Sequence, residues 1–160
     1  MALLRFTLCL FVLIAAPSHV LAGPTVTTPR DQGVTASTAG IETFMAILNQ
    51  TRAQAGLRPL RNNARLNNAA AAHAADMRVR NYFSHRSPNG ATPMRRAQRA
   101  GYRACRSGET LAKGQRNVET AFRAWMGSPG HRKVLMGRQY REFGFARSGN
   151  HWVVVTGRSC

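Results

Sequence analysis

Acidic side chains are what this chain has least of. Six Asp and Glu stand against 23 Lys and Arg, giving a formal net charge of +17 over 160 residues. Such a surplus speaks about partners rather than fold, and it favours anionic surfaces and polymers. The arginines are scattered rather than packed in one block, and no nucleic-acid-binding motif is present, so specific nucleic acid is not an expected partner. Cysteine is scarce as well, with three in all. No apolar run is long enough to span a bilayer, which excludes a transmembrane segment. H-E-x-x-H and G-x-S-x-G are both absent, so neither a common zinc-protease helix nor a nucleophile elbow supplies an activity. No internal repeat appears.

What is present begins with a targeting segment. Met1 to Arg5 supplies a positive start, Phe6 to Ala16 an apolar run, and Val20-Leu21-Ala22 a small-residue cleavage pattern. This predicts a signal peptide over 1–22 and a secreted or periplasmic protein. Cleavage would remove Cys9 and leave Cys105 and Cys160. An even pair in an oxidising compartment suggests one disulfide, with two free thiols as the alternative. Residues 23–39 are rich in Thr, Pro, Gly and Ser and predict a flexible linker. The folded domain is expected over 40–160, which is ordinary for a single domain.

Periodicity places five helices in that domain. Ile41, Phe44, Met45 and Leu48 share one face of a helix over 41–55, which Gly56 and Pro59 end. A second, Ala-rich helix spans 64–81. Thr92-Pro93 starts a third, Asn117 caps a fourth, and Ser128-Pro129 starts a short fifth reaching Met136. Strands come late, over 109–112, 142–146 and 152–156, and Ser148-Gly149-Asn150 joins the last two as a hairpin. The unbroken apolar run Trp152 to Val155 predicts a strand covered on both faces. The fold class is α+β, with a small antiparallel sheet between helices.

The chemistry-bearing candidates are two histidines framed by Ser, Pro and Gly: His85 in Ser84 to Gly90, and His131 in Ser128 to Arg132. Glu109 lies between them in the chain. Two imidazoles and a carboxylate suit a metal site, an acid/base site or a hydrogen-bonded staple. Zinc is the divalent cofactor that neutral His85 and His131 would suit, with Glu109 as a ligand or as the group orienting a bound water. Their spacing is not a zinc signature, however, so no cofactor is required. His131 falls in the first turn of a helix, whose dipole favours the neutral ring. As a staple, Glu109 would accept from both histidines and pin the His85 loop to the His131 helix. His73 is expected in the core, Asp76 as the anchor of a neighbouring backbone or arginine, and Phe122, Trp125, Tyr82 and Phe83 in the core. Arg95, Arg96, Arg99 and Arg103 are expected on one solvated helix face.

The ordered set Leu48-Asn49, Arg52, Gly56-Leu57, Pro59-Leu60, His73-Ala74, Asp76-Met77 and Tyr82 to His85 resembles the CAP superfamily. This superfamily comprises cysteine-rich secretory proteins, antigen 5 and pathogenesis-related 1 proteins. The match continues through Gly101-Tyr102, Gly108-Glu109, Trp125-Met126, Ser128 to Arg132 and Tyr140 to Gly144, and it is nearest the short secreted bacterial SCP-like members. The resemblance implies an α-β-α sandwich and a cleft holding His85, Glu109 and His131. Many eukaryotic members carry a second glutamate three residues after the Trp. Here that position is Ser128, so the constellation is incomplete; Ser128 and Glu142 are accessory candidates. Relatives bind lipids and sterols or act at walls and membranes. The expectation is therefore a monomeric, non-enzymatic binding or scaffold module for a small apolar or anionic envelope component. A zinc-assisted hydrolase, or a basic protein adhering to anionic membrane or wall, are the alternatives.

Overall fold

Phe44, Leu48 and Arg52 recur every fourth residue, and they form the buried face of the first helix, α1 (Thr38–Gln54). The computed structural model describes residues 37–160. The expected signal peptide with its cleavage after Ala22, Cys9, and the linker as far as residue 36 lie outside the described residues. Ser37 caps α1 through its side chain, which accepts from the Gly40 amide, so the helix starts earlier than Ile41. Asn63 caps α2 (Ala64–Val79) and Thr92 caps α3 (Pro93–Arg99). Asn117 and Thr120 form a reciprocal capping box at α4 (Val118–Gly127). Pro129 opens α5 (Pro129–Leu135), where Ser128 precedes the helix without a side-chain capping bond. Among the described residues no helix is long and apolar enough to cross a membrane.

The strands are β1 (Arg61–Asn62), β2 (Ala104–Lys113), β3 (Glu142–Ser148) and β4 (His151–Ser159), arranged β1-β3-β4-β2. β4 pairs antiparallel with both β2 and β3, as the hairpin pattern predicts. β1 corrects the expectation of a wholly antiparallel sheet, because it pairs parallel with β3. It has two residues, both exposed, and so carries no periodic signal. At the Gly149-Asn150 turn, Gly149 adopts φ 57°, the positive value a tight hairpin asks of its first loop residue.

Successive residues of β4 point to opposite faces, and each face is covered. Trp152 and Val154 join Phe143 and Phe145 in a core with Phe44, Phe122, Trp125 and Leu135 from α1, α4 and α5. Val153 and Val155 join Leu111 and Ala146 in a second core with Leu66, Ala70 and Ala97 from α2 and α3. The result is an α-β-α sandwich. Phe44 organises the first core, stacked on Phe145 at 4.8 Å and meeting Trp125 edge-on at 5.9 Å.

At Gly144 the backbone of α2 packs directly on the sheet. A Cβ there would come within 2.0 Å of the Leu66 carbonyl carbon and 2.3 Å of the Asn67 amide nitrogen. The opposing atoms are backbone, so the helix itself would have to move. Gly144→Ala is expected to destabilise the fold by about 3 kcal/mol in urea denaturation. Gly130→Ala is the control, because an added Cβ there meets nothing within 4 Å. Equal stability of the two variants would show that α2 does not rest on the sheet at this point.

Candidate functional site

Glu109 leaves β2 on the face covered by α2 and α3, opposite Val155 of β4. Its side chain is 1% exposed, so its charge needs partners inside the protein. Arg96 of α3 supplies the first, with Nη2 donating to Oε2 at 2.7 Å. His85 supplies the second, with Nδ1–H donating to Oε1 at 2.8 Å. Arg96 also donates to the Ser87 hydroxyl at 3.1 Å, to the Ala91 carbonyl at 2.9 Å and to the His85 carbonyl at 2.9 Å. One guanidinium thus ties the 84–91 loop, α3 and β2 together. This corrects the expectation that Arg96 is solvated: it is buried, while Arg95, Arg99 and Arg103 are exposed.

His73 adds a third group from α2. Its Nε2–H donates to the Ser84 carbonyl at 3.0 Å and lies 3.7 Å from Glu109 Oε1. It sits in the core as expected, yet within the Glu109 network. Burial lowers its pKa from the usual histidine value, while the charge of Glu109 pulls the other way. The hydroxyl proton of Tyr82 goes to Asp76, which also takes two bonds from Arg80 at 2.7 and 2.9 Å. Asp76 therefore anchors an arginine, as expected, and the Arg80 bonds hold its pKa below the usual value. Phe83 departs from expectation: at 47% exposed it is a surface aromatic, with its ring centroid 6.2 Å from that of His151.

His85 is the outward end of the network, with its side chain 52% exposed. With Nδ1 given to Glu109, Nε2 is the nitrogen left for a ligand. His131, half-buried on α5, feels the charge of His85. Burial first, and that neighbour second, lower its pKa and favour the neutral ring. Glu109 accepts from one histidine rather than two, and its second strong donor is Arg96. Glu142 lies on β3, where its carboxylate accepts from Asn63 at 2.8 Å and Tyr102 at 2.6 Å. Ser128 stands at the α4–α5 junction, where its carbonyl accepts from the Arg132 amide at 2.8 Å.

A catalytic zinc takes three protein ligands and a structural zinc four. Both oxygens of Glu109 are committed, which leaves Nε2 of His85 and the ring of His131. Among the described residues no three His, Cys, Asp or Glu side chains gather where one ion could lie. The donor set does not fit a resident zinc.

A cleft of about 460 Å³ borders the same network at His73, Ser87 and Arg96. Ala69, Ala72, Ala91 and Ala100 give it apolar walls, and His73, Asp76, Arg80, Arg96 and Arg99 give it polar ones. The sequence pattern marked Arg99 and the alanines of α2 separately. It could not mark the cleft, which forms only where α2, α3 and the 84–91 loop meet.

The sequence pattern of the cysteine-rich secretory protein family, CAP, matches residues 45–156. The protein YkwD of Bacillus subtilis is 35% identical over 108 residues, covering 66% of this chain and 42% of YkwD. The membrane protein YlbC of the same organism is 29% identical over 101 residues, covering 63% of this chain and 29% of YlbC. This chain thus spans less than half the length of either relative. An SCP-domain-containing extracellular protein of Bacillus anthracis superposes with a TM-score of 0.71 at 28% identity, over 74% of this chain and 40% of that one. An outer surface protein of Borrelia burgdorferi superposes at 0.73 over 80% of this chain and 99% of that one; at 21% identity it bears on the fold alone. Sequence pattern and sandwich architecture agree: the chain belongs to the cysteine-rich secretory protein (CAP) family, in its bacterial form.

Proposed function

We propose that this protein is a monomeric, non-enzymatic binding module that works outside the cytoplasm, and that its ligand is a small envelope component with an apolar part and an anionic group. The cleft carries this reading, because it sets alanine walls beside the rim guanidinium of Arg99, which no carboxylate pairs among the described residues, while Arg80 and Arg96 are held by Asp76 and Glu109. Glu109, spent on Arg96 and His85, serves as the strut behind it rather than as a reacting group. The predicted signal peptide supports an extracytoplasmic site of action. So does the similarity to the Bacillus anthracis protein, which is extracellular.

The probes are dodecanoate, dodecyl phosphate and uncharged dodecanol, followed by calorimetry. Both anionic probes are expected to bind, and dodecanol more weakly. Ala72→Trp fills the cleft from an exposed position, and Arg99→Glu reverses one rim charge; each is expected to weaken binding by about tenfold, or about 1.4 kcal/mol. Saturable binding untouched by either change would overturn this placement of the site. Failure of all three probes to bind would overturn the ligand class.

A further inference from the structure

Where α1 ends, a second and unrelated pocket opens. Its volume is about 300 Å³, and its lining is Arg52, Gly56, Leu57, Arg58, Arg138 and Arg141. Four of these six residues are arginines and none is acidic. Arg52 is 1% exposed at a core-facing position of α1. Its Nε donates to the Arg58 carbonyl at 2.9 Å and its Nη1 to the Leu135 carbonyl at 2.6 Å. Nη1 and Nη2 each reach the Gly137 carbonyl only at 3.4 Å. A guanidinium has five N–H groups, so this set leaves donor capacity over. The Leu135 and Gly137 carbonyls, at and just after the end of α5, with the Arg58 carbonyl of the 56–60 turn, explain why Arg52 lies where it does. They do not explain why three more cations gather around it.

Arg141 spends Nη1 on the carbonyls of Arg138 and Tyr140, at 2.6 and 2.8 Å. Arg58 and Arg138 are exposed, and among the described residues no bond ties either side chain. Among the described residues, the carboxylates in ion pairs are Asp76 and Glu109, and neither pairs with these four. Glu142 adjoins Arg141 in the chain but is taken by Asn63 and Tyr102. Like charges brought together without a counter-charge repel, and guanidinium does not relieve this by losing its proton.

We propose that this arginine pocket is an oxyanion site that takes a phosphate group. The four guanidiniums come from three separate segments: the end of α1, the 56–60 turn and the stretch after α5. A ligand that meets them together must accept hydrogen bonds from several directions. A tetrahedral phosphate does so, whereas a planar carboxylate presents its two oxygens in one plane. The site shares no residue with the alanine-walled cleft, so it stands or falls separately from the function proposed above. Phosphate arrives either as the free ion or as a phosphodiester of an envelope polymer or lipid headgroup, and the same pocket chemistry serves both.

The test uses the full chain, with inorganic phosphate and dimethyl phosphate titrated calorimetrically at ionic strength held constant with chloride. Saturable binding of at least one is expected, together with a rise in Tm. Arg58→Gln/Arg138→Gln removes two exposed cations without touching a bonded side chain, so it should fold as the parent does. It is expected to weaken phosphate binding by about tenfold or more. Arg95→Gln/Arg103→Gln removes equal charge elsewhere and should leave binding unchanged. Binding of dimethyl phosphate as tight as that of inorganic phosphate identifies a diester source, and inorganic phosphate alone identifies the free ion. Absence of saturable binding, or equal loss in both double variants, overturns the site.

Discussion

Replacing Glu109 with Gln is expected to cost about 3–5 kcal/mol of folding stability, the usual penalty for removing one partner of a buried ion pair. The size follows from what is left behind. Arg96 has its side chain 9% exposed and would keep its charge with no carboxylate beside it. A glutamine accepts through one oxygen only, so either the 2.7 Å bond to Arg96 or the 2.8 Å bond to His85 must go. Against a total of about 5–15 kcal/mol for a typical domain, the change is a large fraction. Urea denaturation measures it. Hydrogen exchange should also speed up across 84–91, because Arg96 holds that loop by its bonds to Ser87, Ala91 and His85. Adding Arg96→Met to Glu109→Gln should restore part of the loss, since it removes the stranded charge. Strictly additive losses would show that the two side chains are not coupled, and that Glu109 is no staple.

Opening the disulfide is the second large effect. Cys105 and Cys160 are bonded across a sequence separation of 55. Closing a loop of that length lowers the entropy of the unfolded chain, and the expected stabilisation is about 4 kcal/mol. The bond also has local work. Cys105 is the extra residue of a bulge between Ala104 and Arg106, where β2 falls out of register with β4. Cys160 follows β4, and its amide donates to the Arg103 carbonyl at 2.9 Å. The cross-link therefore holds the irregular start of β2 against the end of β4. Cys105→Ser/Cys160→Ser should lower the urea midpoint accordingly, and reduction of the parent should match it. A double-serine variant within about 1 kcal/mol of the parent would contradict the loop-closure account.

The elements whose signals are local came through from the residue pattern. Thr92 and Asn117 each cap the helix they precede, because a capping side chain needs only amides two or three residues away. The run Trp152 to Val155 announced a strand buried on both faces, and alternation alone divides it between the two cores. His85 beside Glu109 was reached through the ordered motifs of the CAP superfamily, not through spacing. Arg96 shows where local evidence stops. Its neighbours Arg95 and Arg99 are exposed, and α3 offers no internal reason for Arg96 to differ. The reason is a carboxylate on another element, met only after α3 docks on the sheet.

Helix positions, the central strand and the pair of cysteines were set by the sequence itself, because each rests on neighbours along the chain or on side-chain type. Tertiary structure alone decided the rest: the parallel edge strand, the burial of Arg96, the transfer of Glu142 to Tyr102, the alanine-walled cleft and the arginine pocket. Each of these depends on groups far apart in the chain. Whether a charge is solvated, paired or stranded is settled only by what folding brings against it.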